Sequence, residues 1–299
     1  MWRARSSWSR IALAGVLALT LLLTSCDDGD EPAAASSAPS VSPSAASPSA
    51  VASPSPSVVP VTAPVKLWLT LEDSIALTTR QALVTPPQFG TAAVTELVKG
   101  PTQLEAASGF ATAIPAGSQF LGLVVEGGVA TVDLSEEFES GSGSLSVRLR
   151  LAQLVYTLTE FPTVQGVVIE IEGQPVTTFS SEGLVIDNPL TRADFQDLVA
   201  PIIVQAPVPG ERVTSPVTVS GTANVFEANV SMRILGPDNE VLAETFATAT
   251  CGTGCRGTYK KNVPFQVVEE TEGIIEVFEA SAEDGSPLHV VRVPVVLVP

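Results

Sequence analysis
Apolar and polar positions alternate with a period of two in much of the chain, and a period near 3.6 interrupts them twice. Lys66-Leu-Trp-Leu-Thr-Leu71 and Ala76 to Val84 read as strands. Thr91 to Lys99 places Ala93, Val94, Leu97 and Val98 on one helical side, and Gly100-Pro101 stops the helix. Gln119–Glu126 and Gly128–Leu134 form a hairpin around Gly127-Gly128, a pair that tolerates positive φ. In Leu145 to Thr159, Leu151, Leu154, Val155 and Leu158 recur at helical spacing. Phe161-Pro162 ends that helix, and Val167–Ile171 is a further strand. The order ββαββαβ predicts an α+β mixed-sheet domain with two helices packed on one sheet.

Beyond Pro189–Asp197, a linker with one helical turn at Arg192–Leu198, the helical period is lost. Seven short strands follow at sandwich spacing: Ile202–Gln205, Val217–Ser220, Asn229–Leu235, Val241–Thr248, Tyr259–Phe265, Gly273–Ala280 and His289–Leu297. Gly236-Pro-Asp-Asn239 and Glu283-Asp-Gly285 supply turns. The prediction is an all-β, immunoglobulin-like sandwich, without internal repeat of the first block.

The N-terminus has a different pattern. Arg3, Arg5 and Arg10 precede an uncharged apolar run, Ile11 to Leu23. Thirteen helical residues reach about 20 Å, short of a hydrocarbon core of about 30 Å, so a signal peptide is expected rather than a membrane span. From Pro32 to Val65 no residue is charged and 27 of 34 are Pro, Ser or Ala. Such a segment buries too little apolar area to offset the ordering of its backbone. It is expected to be a disordered stalk, its Ser/Pro content also suiting O-glycosylation. Residues 27–65 would reach about 35 Å as coil and about 120 Å as polyproline II.

Charge narrows the partners. The chain has 15 basic and 32 acidic residues, a net −17. Removal of residues 1–25 would leave 12 basic residues against the same acids. That balance excludes nucleic acid, which needs clustered Lys and Arg, and adsorption through a basic patch. One histidine and three cysteines leave little for histidine-based catalysis or metal binding, and no cofactor is expected. Asp27, Asp28, Asp30 and Glu31 lack the alternating ligands of a calcium loop and read as an acidic spacer.

Cys251-Gly-Thr-Gly-Cys255 has no neighbouring zinc ligands and lacks the spacing and helix start of a redox motif, so in an oxidising exterior a disulfide is expected. So short a loop gains less than the roughly 3 kcal/mol of a 15-residue loop. His289 has no nearby nucleophile elbow and reads as a strand residue. Gly141-Ser-Gly-Ser144 has no Lys-Ser/Thr after it and reads as a loop. Glu136-Glu137 and Glu269-Glu270 read as solvated surface rather than glycosidase carboxylates. Trp68 is either a strand-face contact or part of the core.

Three resemblances add to this. Leu23-Thr-Ser-Cys26 resembles the lipobox of bacterial lipoproteins. It implies cleavage by signal peptidase II between Ser25 and Cys26 and diacylglycerol on Cys26, with two or three acyl chains holding the protein stably at a membrane. Glu96-Leu-Val-Lys-Gly-Pro-Thr102, Ala113-Ile-Pro-Ala-Gly117, Val129-Ala-Thr-Val-Asp-Leu-Ser135 with Phe138, and Leu151–Thr159 resemble the GerMN domain of sporulation and germination proteins. The resemblance implies a non-enzymatic envelope domain, with scaffold or ring-building roles in some members. It gives these motifs structural roles, with Gln153 and Tyr156 on the helix nearest the last strand. Pro207-x-Pro-Gly210, Ser215-Pro216, Ser220-Gly-Thr-Ala223, Val225-Phe-Glu227 and Val277-Phe-Glu-Ala280 resemble the immunoglobulin-like domain of bacterial spore germination proteins.

The expected organisation is a signal peptide (1–25), lipidated Cys26 with tether (26–65), a GerMN-like domain (66–182), a linker (183–198) and a sandwich (199–299). The expected function is non-catalytic: an extracytoplasmic, lipid-anchored protein of the cell membrane that binds an envelope protein or peptidoglycan. The alternatives are a cell-wall hydrolase, with reactive groups converging in one cleft, and a solute-binding lipoprotein, with two α/β lobes.

Overall fold
The computed structural model describes residues 59–179, 183–186 and 189–299. The leader, Ser25, Cys26 and the proposed stalk up to residue 58 lie outside the described residues. The first module opens with β1 (Val61–Leu71) and β2 (Ser74–Val84), an antiparallel hairpin in unbroken register from Val61↔Val84 to Leu71↔Ser74. β1 thus begins inside the segment expected to be stalk. Pro64 is tolerated because the third strand, β3 (Phe110–Ala111), meets β1 only at Thr70–Leu71 and leaves its start as an edge.

Helix α1 (Phe89–Val98) turns Ala93, Val94 and Leu97 into the core. A short helix, α2 (Gln103–Ala107), is capped reciprocally by Thr102 and Glu105. The hairpin β4 (Phe120–Glu126) and β5 (Val129–Leu134) turns at Gly127-Gly128, both at positive φ. Helix α3 (Ser144–Leu158) then crosses over to β6 (Gly166–Ile171), which runs parallel to β5. A two-residue strand, β7 (Gln174–Pro175), adds to β6, and β8 (Thr178–Phe179) pairs with β9 (Leu184–Val185).

The mixed sheet is present as β4-β5-β6-β7, while β2-β1-β3 forms a separate antiparallel sheet. Both sheets and helices α1 and α3 share one apolar core. The division has a polar cause. Trp68 N–H donates to Thr157 Oγ1 at 3.0 Å, and its carbonyl accepts from Gln153 Nε2 at 3.2 Å. Side chains of α3 therefore satisfy the β1 edge where another strand would pair. Gln153 and Tyr156 face β1 rather than the last strand, Gln153 through the Trp68 carbonyl and Tyr156 through the Trp68 ring, and Gln153 also accepts from Ala113 N–H at 2.8 Å.

In the second module the strands are β10 (Ile202–Ala206), β11 (Arg212–Thr214), β12 (Val217–Ala223), β13 (Asn229–Leu235), β14 (Val241–Thr248), β15 (Gly257–Val263), β16 (Thr271–Ala280) and β17 (Pro287–Val298). They form two sheets, β10-β12-β15 and β11-β17-β16-β13-β14, around a second core. β12 alternates cleanly, burying Val217, Val219, Gly221 and Ala223. β11 was not anticipated. Pro207 and Pro209 break the first strand, so its two halves join different sheets and β11 pairs in parallel with β17.

The predicted linker is docked onto the first module. Arg192–Leu198 forms 3-10 turns that bury Phe195 and Leu198, and Ala200 N–H donates to Ile75 O at 2.9 Å. Ile203 of β10 is buried in the first core, and Leu71 of β1 packs against both cores. The two modules thus cluster as one compact unit. Among the described residues no helix is long and apolar enough to cross a membrane.

Candidate functional site
At this junction lies a groove of about 570 Å³ with walls from both modules and the docked linker. The first wall is aromatic. Trp68 leaves β1 on the face opposite Leu67 and Leu69 and meets Tyr156 of α3 edge-on, with ring centroids 4.8 Å apart. Arg192, at the start of the 3-10 segment, lies over Tyr156 at 4.7 Å and over Trp68 at 5.6 Å. Trp68 is therefore a core residue at the groove's inner end, 5% exposed.

Glu160, just past the end of α3, ties these groups together. It pairs with Arg192 at 2.5 Å and Lys66 at 3.1 Å, and accepts from Trp68 Nε1 at 3.2 Å. Burial raises its pKa, but the bonds and charges of Arg192 and Lys66 outweigh that, and the net shift is downward. The group is a fixed anion with its lone pairs in use. Burial pushes the Tyr156 phenol up, and its hydroxyl donates to the Arg192 carbonyl at 3.1 Å. This wall holds shape, its carboxylate and phenol both committed to internal bonds.

Arg256 forms the facing wall. Its Nη2 donates to Ala200 O at 2.7 Å, while Nη1 lies 3.4 Å from both Pro201 O and Thr222 Oγ1. Burial pulls its pKa below the usual arginine value. Gln196, Gln205 and Asn224 complete the polar lining.

The groove's rim is the cysteine loop. Cys251 and Cys255 are joined as a disulfide with Cα atoms 5.7 Å apart. The loop is seated on the β12–β13 connection: Gly254 N–H donates to Asn224 Oδ1 at 3.0 Å, and Thr253 N–H to Val225 O at 3.0 Å. Gly252 is required there, since a Cβ would stand 2.4 Å from Ala228 N. Opposite the loop, Glu227 and Ala228 both take positive φ, 53° and 57°.

The remaining sequence candidates are scattered. His289 is exposed in β17 with Nε2 3.7 Å from Glu279. Glu137 is half-buried and accepts from the Ser135 hydroxyl on a 3-10 turn that buries Phe138. Glu270 is paired with Arg212 on the sandwich surface, 58 residues away in sequence. Gly141 and Gly143 take positive φ in the loop before α3. Among the described residues no group of three or more His, Cys, Asp or Glu is placed to hold a metal ion. Sequence reasoning missed Glu160, Arg192, Gln196, Gln205 and Arg256. The one signal was scarcity, since each arginine stands out among so many acids.

Comparison with known proteins gives two family matches. The family described as Sporulation and spore germination matches residues 55–177, and the Immunoglobulin-like domain of bacterial spore germination matches residues 201–286. No curated protein matches the chain. Among solved structures, the first GerMN domain of the sporulation protein GerM from Bacillus subtilis is 21% identical; the match covers 44% of this chain and 99% of that one, with a TM-score of 0.38. The tandem GerMN domains of the same protein match at 17% identity over 68% of this chain and 61% of that one, with a TM-score of 0.40. A Clostridium perfringens protein provisionally named a lipoprotein matches at 19% identity, over 46% of this chain and 93% of that one, with a TM-score of 0.34.

Proposed function
We propose, for a chain that carries a GerMN-type sporulation and germination domain followed by an immunoglobulin-like domain of bacterial spore germination, a role as a lipid-anchored display protein of the cell envelope. Acyl chains on Cys26 would fix it to the outer face of the cell membrane, and the Pro/Ser/Ala-rich segment would set its distance from that face. The folded part would bind, without turnover, another envelope protein or peptidoglycan.

The observation that carries this reading is the docked junction. Two modules that share buried side chains keep a fixed relation to each other, as a rigid bracket must. The aromatic wall of the groove favours recognition over catalysis, because its carboxylate and phenol are committed to internal bonds. A β-sandwich in place of a second α/β lobe speaks against a solute receptor feeding a transporter.

Two measurements test the role. Cys26→Ser should move the protein from the membrane fraction to the soluble fraction, and unchanged fractionation with residues 1–25 retained would overturn the anchor. Incubation with purified peptidoglycan should co-sediment the protein without releasing soluble fragments. Release of such fragments would replace display with hydrolysis.

A further inference from the structure
The facing wall of the groove carries a charge that no described carboxylate answers. Arg192 is committed to Glu160, Thr159 and the Tyr156 carbonyl. Arg256 meets only neutral oxygens, and among the described residues no carboxylate pairs with it. In a chain with more than two acids for every base this is informative, because a carboxylate partner would be easy to supply. Beside it, Gln196 and Gln205 present solvent-exposed side-chain amides that make no hydrogen bond with the described residues, and Leu77 and Val199 give an apolar floor.

A guanidinium offers a planar fork of N–H donors that fits a carboxylate in a bidentate manner. A glutamine amide supplies one acceptor and two donors, the complement of a peptide group. A volume of about 570 Å³ falls in the range of small-ligand sites. We propose that this groove binds the end of a short peptide through its free α-carboxylate, with Arg256 as the anchor and Gln196 and Gln205 pairing with the last peptide groups. The ligand class rests on the envelope role above, where such termini occur both on cell-wall stem peptides and on neighbouring proteins.

The test is calorimetric titration of the purified full chain in detergent. The probes are acetyl-D-alanyl-D-alanine, acetyl-L-alanyl-L-alanine, the C-terminal amide of each, and inorganic phosphate. At least one free acid should bind, about tenfold or more tighter than its amide. Arg256→Gln should remove that difference. Preference for the D-peptide identifies cell-wall stems as the source, and preference for the L-peptide identifies a protein C-terminus.

Equal binding of acid and amide, undiminished binding by Arg256→Gln, binding of phosphate alone, or no binding of either peptide would each overturn the proposal. Should Arg256→Gln fail to fold, Gln205→Ala replaces it. That side chain has no hydrogen-bond partner among the described residues, and its loss should weaken peptide binding about threefold or more. Failure here with intact membrane release by Cys26→Ser leaves the display role standing. Peptide binding that survives while that variant stays in the membrane spares the groove and removes the anchor.

Discussion
Glu105 is 2% exposed and still ionised. Burial raises its pKa, but Arg80 and the Thr102 N–H more than offset this, and the net shift is downward. Arg80 Nη2 reaches it at 2.5 Å, Thr102 N–H at 2.7 Å, and the Thr78 hydroxyl at 3.1 Å. Because the folded pKa is below the unfolded value of about 4.3, this carboxylate contributes stability above that pH and loses it as pH falls through the folded value. Glu105→Ala leaves the Arg80 charge buried without its main partner, at an expected cost of about 3–5 kcal/mol in urea unfolding at neutral pH. The variant should also lose less stability than the wild type as pH falls below about 4.3. An equal loss in both proteins would assign the acid sensitivity to other carboxylates, such as Glu160 and Glu276, whose pKa values are also lowered.

Among the elements, β12 shows how closely two strands can depend on one small residue. A Cβ at Gly221 would lie 1.9 Å from Ile203 O, the oxygen that accepts from the Tyr259 hydroxyl at 3.1 Å. Gly221→Ala must displace β10 or Tyr259, and a destabilisation of about 3 kcal/mol is expected by thermal or chemical denaturation. A neutral result would mean that β10 moves freely, against its packing between the two cores. Most strands and both long helices were legible, because their alternation or helical stripe is long and ends at Gly or Pro. The short α2 was missed although Thr102-Gln-Leu-Glu105 carries a capping-box signature. Its five residues contain too little periodicity to register. β11 was hidden for a different reason: three residues between prolines and a turn acquire strand character only from β17, more than eighty residues later. The split into two sheets was equally out of reach, since it depends on Gln153 and Thr157 meeting a strand far away in sequence.

For the whole molecule, the boundary between modules is covalently obvious and physically blurred. Composition places it near Pro189–Asp197, whereas Ile203 and Leu71 carry packing across it. Calorimetry of the full chain should therefore show one cooperative transition for the folded part, and two resolved transitions would refute the shared core. Ile203→Ala, a change within the sandwich, should cost about 2–5 kcal/mol and increase hydrogen exchange in β2 of the other module. The groove was invisible in the sequence for the same reason. Its residues come from six separate stretches, and only docking brings Arg192 and Arg256 to opposite sides of one space. The Arg256 guanidinium ends on the carbonyls of Ala200 and Pro201, at the joint itself. Whoever trims a recombinant fragment at the apparent joint will therefore cut through somebody else's interior. A sandwich excised at residue 201 would lose the Ala200 carbonyl that receives its Arg256, and its former neighbour would be left with a hole where an isoleucine had been.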